Sequence, residues 1–121
     1  MIVCSKIKVL VADRSELASN IYKLLLSPLD LTPVVCKCSE EARRLLALKK
    51  DFELAIFNSN TFNKDLSLIS SLDIKKIVIC KDSDAELQAN LKKINNVFVV
   101  YKPFHPDEFI SVIKKTLASR E

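Results

Sequence analysis

The stretch that decides the fold is "KIKVLVADRSELASNIYKLLL", residues 6–26. Its first seven residues form an apolar, β-branched run, the composition of a strand buried on both faces. Asp13, Arg14 and Ser15 interrupt the run. Ser15 suits a helix N-cap, and Leu17, Ile21, Leu24 and Leu25 recur behind it at helical spacing. A strand, a short break and a helix follow from this pattern.

The same alternation recurs down the chain. Further strand-like runs are "PVVCKC" (33–38), "ELAIF" (53–57), "KIVIC" (76–80) and "VFVVY" (97–101). Between them, Ala42, Leu45 and Leu46 mark a helix with Ser39 as its cap. Leu66, Ile69 and Leu72 mark a short third helix, and Leu87, Leu91 and Ile94 a fourth. Pro106, Asp107 and Glu108 open a fifth, with Phe109, Ile110, Ile113 and Leu117 on its apolar face. Five βα units with near-continuous apolar strands require a parallel sheet covered by helices on both sides. Right-handed crossovers leave few topologies. The expected fold is α/β, a flavodoxin-like, doubly wound five-stranded sheet of order 2-1-3-4-5 with five helices, residues 1–121 being one domain. Ligands in such sheets bind beyond the carboxyl ends of the strands, where the strand order reverses.

Composition removes several classes of function. The chain has 121 residues, 49% hydrophobic and 28% charged, enough for a packed core and too apolar for disorder. Its net charge of +4 is spread along the sequence with no basic stripe interleaved with aromatics, so nucleic acid is not an expected partner. The N-terminal "MIVCSKIKVLVADRS" contains no signal peptide and no membrane span, which points to a cytoplasmic protein with reduced cysteines. There is no glycine at all. A phosphate-binding Walker loop and a dinucleotide fingerprint both need glycine where backbone approaches phosphate. One histidine, His105, excludes two-histidine metal motifs and leaves little room for histidine catalysis. No enzyme activity is expected.

The residues at the strand ends carry the functional reading. Asp13 and Arg14 follow the first strand, Asn58 ends the third, Cys80 and Lys81 end the fourth, and Lys102, Pro103 and Phe104 end the fifth. With these in place, "KVLVADRSELASNIYKLLL" (8–26) resembles the opening of a response-regulator receiver domain, and "YKPFHPDEFISVIKKTL" (101–117) resembles its ending. The likeness covers residues 6–118, and Lys-Pro-Phe before an acidic, Pro-started helix is its most specific part. The resemblance implies a CheY-like fold in a two-component signalling, or phosphorelay, setting. In that family two adjacent acidic residues after the first strand help to hold Mg²⁺. An Asp ending the third strand accepts a phosphoryl group, a Ser or Thr ends the fourth, and a Lys ends the fifth.

Matched position by position, Asp13 stands for the first acidic residue, Lys102 for the lysine, and Pro103 for a proline whose preceding bond is often cis in receivers. The other positions depart. Arg14 stands at the second acidic position and Asn58 at the phosphoacceptor. Cys80 or Lys81 stands for Ser/Thr, Val99 for the switching aromatic, and Phe62 and Asn63 for the Pro-Gly that often follows the acceptor strand. An acyl phosphate needs a carboxylate nucleophile, and an amide supplies none. Mg²⁺ prefers carboxylate oxygens. Asp13, Arg14, Asn58 and Lys102 together carry one net positive charge, so each close encounter of the site with a cation works against binding by a few kcal/mol, about 4 at ~4 Å and an effective dielectric of ~20. Mg²⁺ binding is therefore expected to be weak or absent, with Arg14 or Lys102 pairing with Asp13 in the metal's stead, or Arg14 simply solvated. A small anion beside Lys102 is a second reading of the same positive site.

The cysteines are read as small buried hydrophobes. "CKC" at 36–38 places Cys36 and Cys38 on one face of a strand, Cys80 lies three strand spacings away, and Cys4 precedes the first strand at the other end, so they cannot meet on one metal. A reactive Cys80, activated by Lys81, is the residual alternative. His105 is read as a helix cap before Pro106.

The resemblance thus implies a pseudo-receiver that works without phosphorylation, through protein–protein recognition. Relatives often use the face built by the fourth helix, fifth strand and fifth helix, here about residues 84–118, which carries Lys92, Lys93, Lys114 and Lys115 and suits an acidic partner or a weak homodimer. The domain is expected either to stand alone or to belong to a longer regulator. Two alternatives remain: a regulator phosphorylated on another residue such as Asp65 or Ser59, and a ligand-binding or redox module on the same fold.

Overall fold

The computed structural model describes residues 7–48, 51–59, 61, 66–81 and 83–118. Cys4, Phe62, Asn63 and Asp65 lie outside the described residues. The elements alternate: strands β1 (Ile7–Ala12), β2 (Leu31–Cys36), β3 (Phe52–Asn58), β4 (Lys75–Lys81) and β5 (Val97–Lys102), with helices α1 (Glu16–Leu26), α2 (Ser39–Leu48), α3 (Leu66–Ser71), α4 (Ala85–Leu91) and α5 (Pro106–Ala118) following them in turn. The five strands are parallel, in the order β2-β1-β3-β4-β5. This is the expected flavodoxin-like topology.

Alternation along the strands divides the core into two layers. Leu10, Ala12, Cys36, Ala55, Phe57, Val78 and Cys80 face α2, α3 and α4, where they meet Ala42, Leu68, Ile69, Leu87 and Leu91. Val9, Val11, Leu54, Ile56, Ile77, Ile79 and Val100 face α1 and α5 and pack on Tyr22, Leu26, Phe109 and Ile113. The central strands are buried on both sides, which is why their sequences read as continuous apolar runs.

Several local expectations are corrected. β2 starts at Leu31 and ends at Cys36, two residues earlier at each end than "PVVCKC" suggested. Pro33 is tolerated inside it because β2 is an edge strand. Cys38 therefore lies beyond the strand and is exposed, while Cys36 is buried, so the two do not share a sheet face. Ser39 is not a cap: its hydroxyl is buried without a hydrogen-bond partner, and Glu41 instead accepts the Lys37 N–H at 2.9 Å. α4 ends at Leu91, so Ile94 docks from the following turn rather than from the helix. α1 presents Ser19, Tyr22 and Leu26 to the core, not Leu17, Ile21 and Leu24, which are 72%, 43% and 75% exposed. Burying the Tyr22 ring brings it within 5.7 Å of the Phe109 ring and carries its hydroxyl to Asp13, while small Ser19 lets the helix approach the sheet.

Among the described residues, two turns need a left-handed backbone, and without glycine they use Asp30 (φ 61°) and Asn96 (φ 63°), among the residue types that tolerate it best. Lys76 occupies an inward position of β4 and is only 1% exposed. Its ammonium donates to the Leu72 carbonyl at 2.6 Å, just past the C-terminal end of α3, where a cation is favoured. Burial holds its pKa below the usual lysine range, against an opposing pull from Asp73.

Candidate functional site

The sheet order brings the carboxyl ends of β1, β3 and β5 to one edge of the molecule, and the side chains there are hydrogen-bonded in series. Asp13 follows β1, and its N–H donates to the Cys36 carbonyl at 3.0 Å, which fixes its backbone. The residue is 2% exposed. Its Oδ1 accepts the Ser15 N–H at 2.9 Å, and its Oδ2 accepts both the Tyr22 hydroxyl at 2.9 Å and the Asn58 Nδ2 at 3.0 Å. Asn58 ends β3 and turns its Oδ1 to the Lys102 ammonium, 2.9 Å away. This amide orientation is dictated by chemistry: Asp13 can only accept and Lys102 can only donate.

Asn58 is thus the joint between an anion and a cation. The sequence suggested that Lys102 or Arg14 would pair with Asp13. Lys102 instead reaches Asp13 through the Asn58 amide, and Asp13 is satisfied by Ser15, Tyr22 and Asn58. Burial lowers the Lys102 pKa, with the Asp13 charge acting in the opposite direction and Lys81 adding to the depression. Burial also raises the Tyr22 pKa well above the ordinary tyrosine range, and the neighbouring Asp13 charge and hydrogen bond push the same way. A phenol hydrogen-bonded to a buried carboxylate is held as a neutral donor.

Arg14 is an exposed residue on the rim, where its N–H donates to Thr61 Oγ1 at 2.9 Å. Thr61 is buried and returns its own N–H to the Asn58 carbonyl at 2.8 Å. The Ser59 N–H donates to Ile79 at 2.9 Å, so the chain leaving β3 is anchored on both sides. A cleft of about 470 Å³ opens here between Asp13, Arg14, Ser15, Asn58 and Thr61. A smaller recess of about 280 Å³ runs from Asn58 and Lys102 between α1 and Phe104.

The remaining positions divide. Lys81 is exposed and lies opposite Lys102 in the β4–β5 ladder. Cys80 is fully buried in the α3/α4 layer, and burial pushes its thiol pKa up, with Asp84 acting the same way and Lys102 opposing. Lysine proximity therefore does not activate it. Val99 is half-buried against that same layer. The Lys102–Pro103 bond is cis, and Phe104 stacks on Phe109 at 5.1 Å. His105 stands at the start of α5: its carbonyl accepts the Phe109 N–H, and its own N–H donates to Glu108 at 3.4 Å. Lys92, Lys93, Lys114 and Lys115 are all exposed.

Sequence reading missed Tyr22 and Thr61. Tyr22 sits among leucines and nothing local sets it apart; only its position one helical turn plus three residues after Ser15, on the sheet-facing side of α1, aims it at Asp13. The single buried carboxylate of the site, Asp13, already accepts three hydrogen bonds and is followed by Arg14, a donor set poorer in carboxylate oxygen than Mg²⁺ prefers. No group of three or more His, Cys, Asp or Glu that could hold a metal occurs among the described residues. Among the described residues, no helix is long and apolar enough to cross a membrane.

No family model matches the sequence, and no curated protein matches it. Solved structures do. A response regulator from Thermotoga maritima superposes with a TM-score of 0.81 at 25% identity, covering 95% of this chain and 100% of that one. The signal receiver domain of an HD domain-containing protein from Pseudomonas fluorescens Pf-5 gives 0.82 at 22% identity, covering 93% and 95%. A response regulator receiver protein from Pseudomonas putida gives 0.80 at 23% identity, covering 93% and 99%. The fold is that of a receiver-like domain of CheY-like architecture. It resembles the receiver domains of two-component signalling.

Proposed function

We propose that this receiver-like domain is a pseudo-receiver: it accepts no phosphoryl group and signals, or scaffolds, by binding other proteins. The observation that supports this most is the Asp13–Asn58–Lys102 series. At the position where receivers carry a nucleophilic carboxylate, the side chain is an amide whose oxygen is engaged by Lys102 and whose nitrogen is engaged by Asp13. It has no anionic oxygen to attack phosphorus, and its neutral oxygen is a poorer ligand for a hard divalent cation than a carboxylate. Catalysis by the domain itself is not part of this reading, nor is a bound cofactor. Partner binding is assigned to the α4–β5–α5 face, where Lys92, Lys93, Lys114 and Lys115 offer positive charge to an acidic surface.

Incubation with acetyl phosphate and Mg²⁺, followed by intact-mass measurement, tests the first half. The expected result is no phosphoryl adduct on the wild-type chain, and a Mg²⁺-dependent adduct on the Asn58→Asp/Arg14→Asp variant. An adduct on the wild-type chain would overturn the proposal and direct attention to another acceptor, such as Ser59 or Asp65.

A further inference from the structure

α1 carries an apolar stripe that the fold leaves uncovered. Leu17, Ile21 and Leu24 recur at i, i+4 and i+7, so they line one side of the helix, opposite the side on which Ser19, Tyr22 and Leu26 are buried. Leu17 and Leu24 are the two most exposed leucines of α1, each open to water over most of its surface. Scattered exposed leucines need no explanation, but three large apolar side chains in one helical row form the seam along which helices pack.

We propose that this stripe is a homodimer surface, on which α1 of a second copy of the chain lies antiparallel. The occupant is chosen by the symmetry and the charges of the helix itself. About a two-fold axis near Ile21, Leu17 of each copy meets Leu24 of the other, so the row is its own complement. Glu16 and Lys23 lie seven residues apart, which puts them on the same flank at opposite ends of the stripe. Antiparallel packing sets Glu16 of each copy toward Lys23 of the other and opposes the helix dipoles head to tail. Parallel packing about a two-fold along the helices would put this flank of each copy on opposite sides of the seam, so Glu16 and Lys23 would gain no partner there. The stripe offers far less than the ~800 Å² per partner of a standard interface, so the association is weak and concentration-dependent. Ile21 also borders the recess that leads to Asn58 and Lys102, so a second copy seated on α1 borders it too. The inference is independent of the phosphorylation reading and places self-association on α1 rather than on the α4–β5–α5 face.

Sedimentation equilibrium of the whole chain from micromolar to millimolar concentration tests it. The weight-average mass should climb toward that of a dimer. Leu17→Glu/Leu24→Glu should weaken association by at least ~10-fold, because each leucine otherwise removed from water contributes about that factor. Because both side chains are solvent-exposed, an unchanged thermal melt will show that the fold persists. Glu16→Lys and Lys23→Glu should each self-associate less than wild type, and an equimolar mixture of the two should associate more than either alone. A monomer at every concentration, or a dimer indifferent to Leu17→Glu/Leu24→Glu, would overturn the proposal.

Discussion

Placing a carboxylate at the centre of the site, by Asn58→Asp, should cost stability, and the amount can be worked out from two distances. The substitution removes the Nδ2 donor that stands 3.0 Å from Asp13 Oδ2 and puts an acceptor in its place. Loss of a hydrogen bond to a buried charge is worth about 1.5–3 kcal/mol. Two carboxylates at that spacing repel by about 5 kcal/mol at an effective dielectric of ~20. The new carboxylate also gains attraction to the Lys102 ammonium, 2.9 Å from the present Oδ1, of similar size and opposite sign. The Coulomb terms nearly cancel, and the lost donor remains, for a net destabilisation of about 2 kcal/mol at neutral pH. The pH dependence gives the sharper test. A proton shared between the two carboxyls recreates the missing donor, so one of them has a folded-state pKa raised above its unfolded value near 4. Such a group costs nothing below the unfolded pKa, and its cost grows as pH rises through the folded pKa. Urea unfolding of variant and wild type at several values between pH 4 and 8, at unchanged m-value, should show a deficit that opens with rising pH. Equal stability at pH 7, or a deficit that does not vary with pH, would refute the hydrogen-bonded series as drawn.

Two further outcomes follow from burial and charge. In a Tyr101→Phe background the remaining phenol, Tyr22, should ionise well above the ordinary value near 10 in a 295 nm titration. Because its folded pKa is raised, the stability it contributes is present below pH 10 and is lost as pH rises through the folded value; Asp13→Asn should move the titration back down. Iodoacetamide with peptide mapping should modify Cys38, which is exposed, well before Cys36 and Cys80. Burial pushes the Cys36 thiol up to about 12 and raises that of Cys80, so neither presents a thiolate at neutral pH; prompt labelling of Cys80 in folded protein would contradict the assignment.

Much of the fold was legible because the sequence is locally consistent. Each central strand is an unbroken apolar run, each run is followed by a helical repeat, and parallel βα units admit few chain paths. The errors fell where two solutions had nearly equal local support. α1 is apolar on both sides: Leu17, Ile21 and Leu24 make one stripe, Tyr22 and Leu26 the other, and only the neighbouring Phe109 and Asp13 decide between them. β2 was misplaced because Pro33 reads as a strand boundary unless the strand is known to be an edge. Ser39 has the residue type of a cap, but α2 begins at Ser39 itself, and the Cys38 carbonyl takes the Ala42 N–H that a cap at Ser39 would meet. At the site, Asp13, Asn58 and Lys102 could be placed from the strand ends alone, since topology fixes where those ends meet. Tyr22 and Thr61 could not, because their roles depend on side-chain reach across an interface that no sequence spacing encodes.

A receiver switches because a ligand binds two conformations with different affinity, and without that difference no population moves. On the reading proposed above, the differential term is missing here at three points. Asn58 offers no nucleophile, Arg14 replaces a metal ligand with a cation, and Val99 has too little surface to report a change by moving between buried and exposed positions. What remains is static and mutually supporting: the Asp13 oxygens are met by Ser15, Tyr22 and Asn58, and Asn58 keeps its orientation because Lys102 takes the other end. Such a series ties α1 to the ends of β1, β3 and β5 in one arrangement. It holds two outer surfaces of the domain, that of α1 and that of α4–β5–α5, in fixed positions. A domain built this way is suited to constant presentation of a binding surface, with regulation left to the concentration of its partners.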